Sequence, residues 1–146
     1  MKKIYIFGVG LIGGSIALKT RDLNIFDEII GIGRPGGSSL DKLVRSGVLN
    51  SSLTQIGKEI GEANLIVIAT PVAQTKIILK EIQPFLNPET IITDVGSTKS
   101  DIMSEAKLIL DDNFSQFIGS HPIAGSEKHG PSAAKKNLFQ GKNIVL

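Results

Sequence analysis

A glycine-rich segment near the amino terminus constrains the fold more than any other feature. Gly8, Gly10 and Gly13 have the spacing G-x-G-x-x-G between an apolar run at residues 3–8 and an amphipathic segment at residues 12–23. A strand followed by a tight turn and a helix is the context in which this pattern binds a dinucleotide. The first glycine permits the turn, the second lets the backbone approach a pyrophosphate, and the third lets the helix pack closely on the strand.

The start of the predicted helix supplies the attraction for phosphate groups. The first N–H groups of a helix have no intrahelical partner and carry a partial positive charge. We therefore expect the loop and the first helical turn to contact the cofactor through Gly8, Gly10, Leu11, Ile12 and Gly13.

Apolar runs alternate with amphipathic segments along the rest of the chain. Strands are predicted at residues 3–8, 28–33, 65–69, 90–95, 116–120 and 142–146, and helices at 12–23, 39–46, 72–86 and 98–110. Strands that are apolar throughout, with helices between them, are typical of a parallel sheet covered on both faces. The sequence therefore predicts an α/β fold, a doubly wound, mostly parallel Rossmann-type sheet with helices on both faces. Thr98 and Asp101 predict a capping box at the last helix.

Composition narrows the class of protein. The 146 residues are 41% hydrophobic with a net charge of +2, which fits one domain and predicts neither a nucleic-acid nor a membrane partner. The chain has no cysteine and two histidines, so we assign no metal site. The first 18 residues resemble a signal peptide, but four glycines interrupt them and no small-x-small cleavage site follows. We expect a cytoplasmic protein.

The end of the second strand predicts which cofactor is bound. Position 33, about 20 residues after Gly13, holds glycine where an acid would bind the ribose of NAD. Arg34 follows, and Ser38 and Ser39 come soon after it. This combination favours a 2′-phosphate, so NADP is the preferred cofactor and NAD a possible one. In the alternative interpretation, Arg34 is a solvated loop residue.

Chemically versatile residues follow the later strands, where ligands bind in such sheets. Thr70 and Pro71 are expected to contact the cofactor. His121 is the candidate general base, because a neutral imidazole can take the hydroxyl proton as a hydride leaves. Ser97 could orient that histidine or bind the substrate hydroxyl. The alternatives are a histidine that orients a loop and a serine that caps a helix.

Five segments carry a resemblance to a known family. GVGLIGGSIA, ATP, TDVGSTK, FIGSHPIAGSEKHG and NLFQGKNIVL, in this order, resemble the prephenate and arogenate dehydrogenases. The resemblance implies an oxidoreductase of tyrosine biosynthesis that oxidatively decarboxylates prephenate or arogenate with hydride transfer to NAD or NADP. It implies that His121 is the catalytic histidine, that Ser97 assists it, and that Ser126 and Glu127 contact the substrate. Ser120 stands where glycine is common in the family.

The resemblance also implies how the chain is organised. Residues 1–146 correspond to the cofactor-binding half, and the family's helical domain, which forms a homodimer, is absent from this sequence. Two other classes remain open at this point. A β-hydroxyacid dehydrogenase or imine reductase shares the glycine loop but lacks HPIAGSE. A nucleotide-sensing module without catalysis would leave His121 and Ser97 without a purpose.

Overall fold

A computed structural model describes residues 1–36, 38–125 and 130–146. In these residues, six parallel strands form one sheet in the order β3-β2-β1-β4-β5-β6. The strands are β1 (Lys3–Phe7), β2 (Glu28–Ile32), β3 (Ser51–Leu53), β4 (Leu65–Ile68), β5 (Ile91–Asp94) and β6 (Phe117–Gly119). The helices are α1 (Leu11–Leu23), α2 (Ser38–Arg45), α3 (Val72–Ile82) and α4 (Lys99–Leu110). The predicted doubly wound α/β fold is confirmed.

Alternate residues of the central strands β1, β2 and β4 face two separate cores. Ile4 and Ile6 of β1 pack with Ala17 of α1 and Leu40 of α2. Their neighbours Tyr5 and Phe7 pack on the other face, with the apolar residues of α3 and α4. Because both faces are covered, the central strands are apolar throughout, which is the pattern that predicted them. None of the helices in the described residues is long and apolar enough to cross a membrane.

The structure corrects three details of the predicted elements. Helix α3 ends at Ile82 rather than at residue 86, because Pro84 cannot continue the helical hydrogen bonds. The capping box is wrong: Thr98 is the N-cap residue of α4, but its side chain makes no capping hydrogen bond. Strand β3 was not predicted, because a short Ser-Ser-Leu edge strand has no apolar periodicity.

The predicted strand at residues 142–146 exists, but it lies outside the main sheet. Strand β8 (Ile144–Val145) pairs antiparallel with β7 (His121–Pro122), with His121 opposite Val145. The Ile123 N–H extends this pairing by donating to the Asn143 carbonyl at 2.9 Å. The two-stranded ribbon therefore holds His121 beyond the end of β6.

The segment that follows residues 126–129 returns to helix α1. The Lys135 N–H donates to the fully buried Ser15 hydroxyl at 2.9 Å, and that hydroxyl donates to the Leu11 carbonyl at 2.7 Å. Lys136 forms an ion pair with Asp22 at 2.6 Å. The Lys136 and Lys19 ammonium groups hold the pKa of the Asp22 carboxyl below its ordinary value. The chain on the carboxyl side of residues 126–129 is thus fixed to the helix that follows the glycine loop.

We expect Ser15→Ala to lower the free energy of unfolding by about 1–3 kcal/mol, because the Lys135 amide loses its acceptor. Ser104→Ala is the matched control. Ser104 also donates to the carbonyl four residues earlier in its helix, at 2.9 Å, but it is exposed. We expect the control to stay within about 0.5 kcal/mol of the parent. Urea denaturation of the chain measures both, and equal midpoints for the two variants would contradict the proposed contact.

Candidate cofactor site and active site

A pocket of about 840 Å³ opens at the carboxyl ends of β2, β1 and β4. The strand order reverses between β1 and β4, which is where ligands bind in open α/β sheets. Several of the residues predicted from the sequence line this pocket: Gly8, Gly10, Gly33, Arg34, Ser39, Thr70 and Pro71. These residues, which come from separate parts of the chain, are therefore brought together around one cavity.

Glycine occupies each of the three positions of the loop for a different structural reason. Gly8 has a φ of +81°, and a Cβ there would lie 2.8 Å from the Ala69 carbonyl oxygen. At Gly13 a Cβ would lie 2.2 Å from the Gly8 carbonyl oxygen, so only glycine lets α1 pack this closely. A Cβ on Gly10 would meet nothing within 4 Å, because that position borders the open pocket.

Leu11, Ile12 and Gly13 are absent from the described pocket lining. They form the first turn of α1, which has Gly10 as its N-cap residue and no side-chain cap. The first N–H groups of the helix consequently lack intrahelical partners. The backbone N–H groups of this turn are therefore available to a ligand, which is the kind of contact that the sequence predicts.

The end of β2 forms one side of the pocket. Gly33, Arg34 and Ser39 line it, as does Leu40 of α2. A Cβ at Gly33 would lie 2.7 Å from Leu40 Cδ1, so a larger residue would require that side chain to move. The side chain of Ser38, a predicted cofactor ligand, lies outside the part of the chain that the structure describes.

Sequence reasoning missed two further groups of lining residues. The first, Thr54, Gln55 and Ile56, follows β3, and the unpredicted strand gave no signal for it. The second lies on α3 and comprises Gln74, Ile78 and Glu81. Their i, i+4, i+7 spacing places them on one helix face, so a helical-wheel argument could have found them.

Thr70 has an unusual hydroxyl group. Its Oγ1 atom is buried and has no hydrogen-bond partner within the described residues. Buried polar atoms nearly always have a partner. Because Thr70 also lines the pocket, a ligand hydroxyl is a suitable partner for this atom.

Asp94, at the end of β5, connects the segments that carry Ser97 and His121. Its side chain is 1% exposed, and its Oδ2 accepts a hydrogen bond from the Gly96 N–H at 2.8 Å and another from the Lys99 ammonium group. Its Oδ1 accepts from the Ser120 N–H at 3.2 Å. Gly96 before Ser97, Lys99 two residues after it, and Ser120 before His121 are thus all hydrogen-bonded to one carboxylate.

The two predicted catalytic residues differ in their surroundings. Ser97 is exposed and precedes Thr98, so it is not the N-cap residue of α4. His121 is half-buried at the start of β7. The Ser120 hydroxyl beside it donates to the Asp94 carbonyl at 2.6 Å and accepts from Thr93 at 3.2 Å. Ser126 and Glu127, the predicted substrate residues, lie outside the described residues. The described residues contain no group of three or more potential metal ligands.

Comparisons with known proteins identify the family to which this chain belongs. The family described as "Prephenate dehydrogenase, nucleotide-binding domain" matches residues 16–146. The chain is 40% identical over 147 residues to the prephenate dehydrogenase of Lactococcus lactis, and 39% identical over 144 residues to that of Bacillus subtilis. These alignments cover 100% and 98% of the chain but only 41% and 38% of those relatives.

Solved structures agree with the sequence comparisons. A prephenate dehydrogenase of Aquifex aeolicus, in complex with hydroxyphenyl propionate and NAD+, superimposes with a TM-score of 0.88 at 31% identity, covering 99% of the chain and 49% of that protein. Synechocystis arogenate dehydrogenase gives 0.85 at 30% identity, covering 97% and 48%. Escherichia coli 3-hydroxybutyryl-CoA dehydrogenase gives 0.62 at 18% identity, covering 82% and 29%, and so shares the fold alone. The chain therefore belongs to the prephenate dehydrogenase family, of which it is the nucleotide-binding domain.

Proposed function

We propose that this chain is the cofactor-binding half of an NAD(P)-dependent enzyme of tyrosine biosynthesis that oxidatively decarboxylates prephenate or arogenate. One observation carries the proposal. Along the carboxyl edge of the sheet, from β2 to β6, stand Arg34, Gly8, Thr70, Ser97 and His121 in that spatial order. This is the order in which a dinucleotide presents its adenosine ribose, its pyrophosphate and its nicotinamide, followed by a substrate.

The residues of the pocket fit a nicotinamide dinucleotide. Gly10 leaves space for a pyrophosphate beside the free N–H groups of Leu11 and Ile12. Thr70, with its unpartnered hydroxyl, and Pro71 lie nearer β5 and thus at the nicotinamide end. When bound, the dinucleotide supplies the hydride acceptor. The Aquifex relative, whose structure contains NAD+, supports this class of cofactor.

The segments bonded to Asp94 suit the chemistry of the substrate. His121 takes the proton of the ring hydroxyl as hydride leaves the same carbon, and Ser97 holds the hydroxyl or the imidazole in place. The oxidised ring then loses carbon dioxide and becomes aromatic. Ser126 and Glu127 are proposed to contact the substrate, on the basis of the family resemblance alone.

A second domain completes the proposed enzyme. The curated relatives are more than twice as long as this chain. Ile123, Ile144 and Val145, on and beside the β7–β8 ribbon, are about half exposed, at 49%, 56% and 50%. We propose that a helical domain packs on this apolar surface, forms the homodimer and closes the substrate site from the other side.

If this chain binds the cofactor and a second domain completes the substrate site, the 146-residue chain alone binds NADP but does not oxidise prephenate or arogenate. Positioning contributes roughly 7–11 kcal/mol to lowering a barrier, and half of a site cannot supply it. Calorimetric titration with cofactor and a spectrophotometric assay at 340 nm, a wavelength where reduced nicotinamide absorbs, would measure both properties. Rapid turnover by the isolated chain would contradict the proposed second domain.

In the complete gene product, we expect His121→Asn to lower kcat about 10²–10⁴-fold, which is the usual contribution of a general base. The dissociation constant for the cofactor should stay near its parental value, because His121 does not line the described part of the pocket. Steady-state kinetics and cofactor titration give the two numbers separately. An unchanged kcat would reduce His121 to a structural role.

We further propose that NADP binds more tightly than NAD, by roughly tenfold to a hundredfold, or about 1.4–2.7 kcal/mol. Arg34 can form a charge-assisted bond to a 2′-phosphate, which contributes about 1.5–3 kcal/mol. Gly33 presents no carboxylate to repel that phosphate. Titration with each cofactor at fixed salt concentration measures the preference, and tighter binding of NAD would contradict it.

Gly33→Asp should reverse the preference. A carboxylate about 4 Å from the phosphate costs up to roughly 4 kcal/mol at an effective dielectric of 20. Gly33→Ala is the matched control, because it also displaces the Leu40 side chain but adds no charge. We expect the alanine variant to keep the parental preference. If both variants lose it equally, displacement of Leu40 rather than charge determines the selectivity.

A further inference from the structure

Asp94 is buried and has no place in the chemistry described above. It follows the last apolar residues of β5, and it is 1% exposed. Burying a carboxylate is costly unless the charge is paired and its oxygens accept hydrogen bonds. Here Lys99, whose side chain is 23% exposed, supplies the positive charge, and two backbone N–H groups complete the set of donors.

The two carboxylate oxygens are divided between the two segments. Oδ2 accepts from Gly96 and Lys99, which enclose Ser97 and Thr98, whereas Oδ1 accepts from the N–H of Ser120, which precedes His121. The main-chain carbonyl of Asp94 adds a bond from the Ser120 hydroxyl at 2.6 Å. One residue, Asp94, is consequently hydrogen-bonded both to the loop that carries Ser97 and to the residue before His121.

The packing leaves this carboxylate little freedom to move. A Cβ at Gly96 would lie 3.0 Å from Asp94 Oδ2 and 2.7 Å from Ile102 Cδ1, so a larger residue there would require these side chains to move. At Gly119, a Cβ would lie 2.8 Å from Met103 Sδ and 3.7 Å from Asp94 Oδ1. Side chains of α4 thus back the carboxylate from the side of the helix.

We propose that Asp94, together with Lys99, is a positioning residue that holds Ser97 and His121 in their working geometry. The inference rests on the proposed function. An amide cannot replace the carboxylate, because Asn has one acceptor oxygen where the two N–H groups and Lys99 use two. Asp94→Asn must therefore release either the Ser97 loop or the His121 strand. Misplacing a catalytic group by about 1 Å can cost about 10²-fold in rate.

The test compares Asp94→Asn with Asp101→Asn in the complete gene product. Asp101 is an exposed acid in the first turn of the same helix that carries Lys99, so it controls for the chemical change. We expect Asp94→Asn to lower kcat about 10²-fold with an unchanged dissociation constant for NADP, and Asp101→Asn to leave both unchanged. An unaltered kcat in Asp94→Asn would overturn the proposal. So would a fall in kcat matched by an equal loss of cofactor affinity, because that pattern indicates general damage to the fold.

A second pair of variants decides the question if Asp94→Asn does not fold. Lys99→Met removes the ammonium group, and Lys99→Arg retains a positive donor. We expect the methionine variant to lose kcat at constant cofactor affinity and the arginine variant to recover most of it; equal kcat values for both and the parent would overturn the proposal. A parent protein that binds NADP but oxidises neither prephenate nor arogenate would instead refute the proposed function, and this inference with it.

Discussion

The close approach of helix α1 to the ends of β1 and β4 is the contact on which the rest of the site depends. It exists because Gly13 has no Cβ that would collide with the Gly8 carbonyl, and because Gly8 adopts a φ of +81°. A helix packed this closely directs its free N–H groups at the crevice between the two strands, where the sheet order reverses. The same helix anchors the returning segment through Ser15, so the cofactor pocket and the proposed substrate site share one support.

The two ends of this sheet edge differ in the kinds of group that they bury. The pocket beside β2, β1 and β4 is lined largely by glycine, apolar side chains and backbone, which suits a ligand that brings its own charges. Beyond β4 the character changes, and a buried carboxylate, a lysine and two backbone amides hold the residues proposed for proton transfer. Buried polar networks of this kind stabilise one arrangement when every member is satisfied.

The sequence predicted the elements that a local motif or a repeating apolar pattern determines. The central strands are buried on both faces, so their uniform apolar composition identifies them, and the glycine spacing identifies the turn between β1 and α1. Strand β3 and the lining residues Thr54, Gln55 and Ile56 were missed, because a short polar edge strand depends on pairing with Ile30–Ile32 rather than on its own pattern. The hydrogen bonds of Asp94 could not be predicted either, because its partner Ser120 lies 26 residues away and is brought close by the pairing of β5 with β6.

The positions of a cofactor and a substrate along this sheet edge decide whether the proposed site is correct. The most direct measurement is a crystal structure of the complete gene product with NADP and an unreactive analogue of the substrate. We predict that the pyrophosphate contacts the N–H groups of Leu11 and Ile12. We predict also that an imidazole nitrogen of His121 lies about 2.6–3.2 Å from the ring hydroxyl, directly or through one water. A pyrophosphate bound away from the glycine loop, or a ring hydroxyl held by another basic residue with His121 out of reach, would contradict the account.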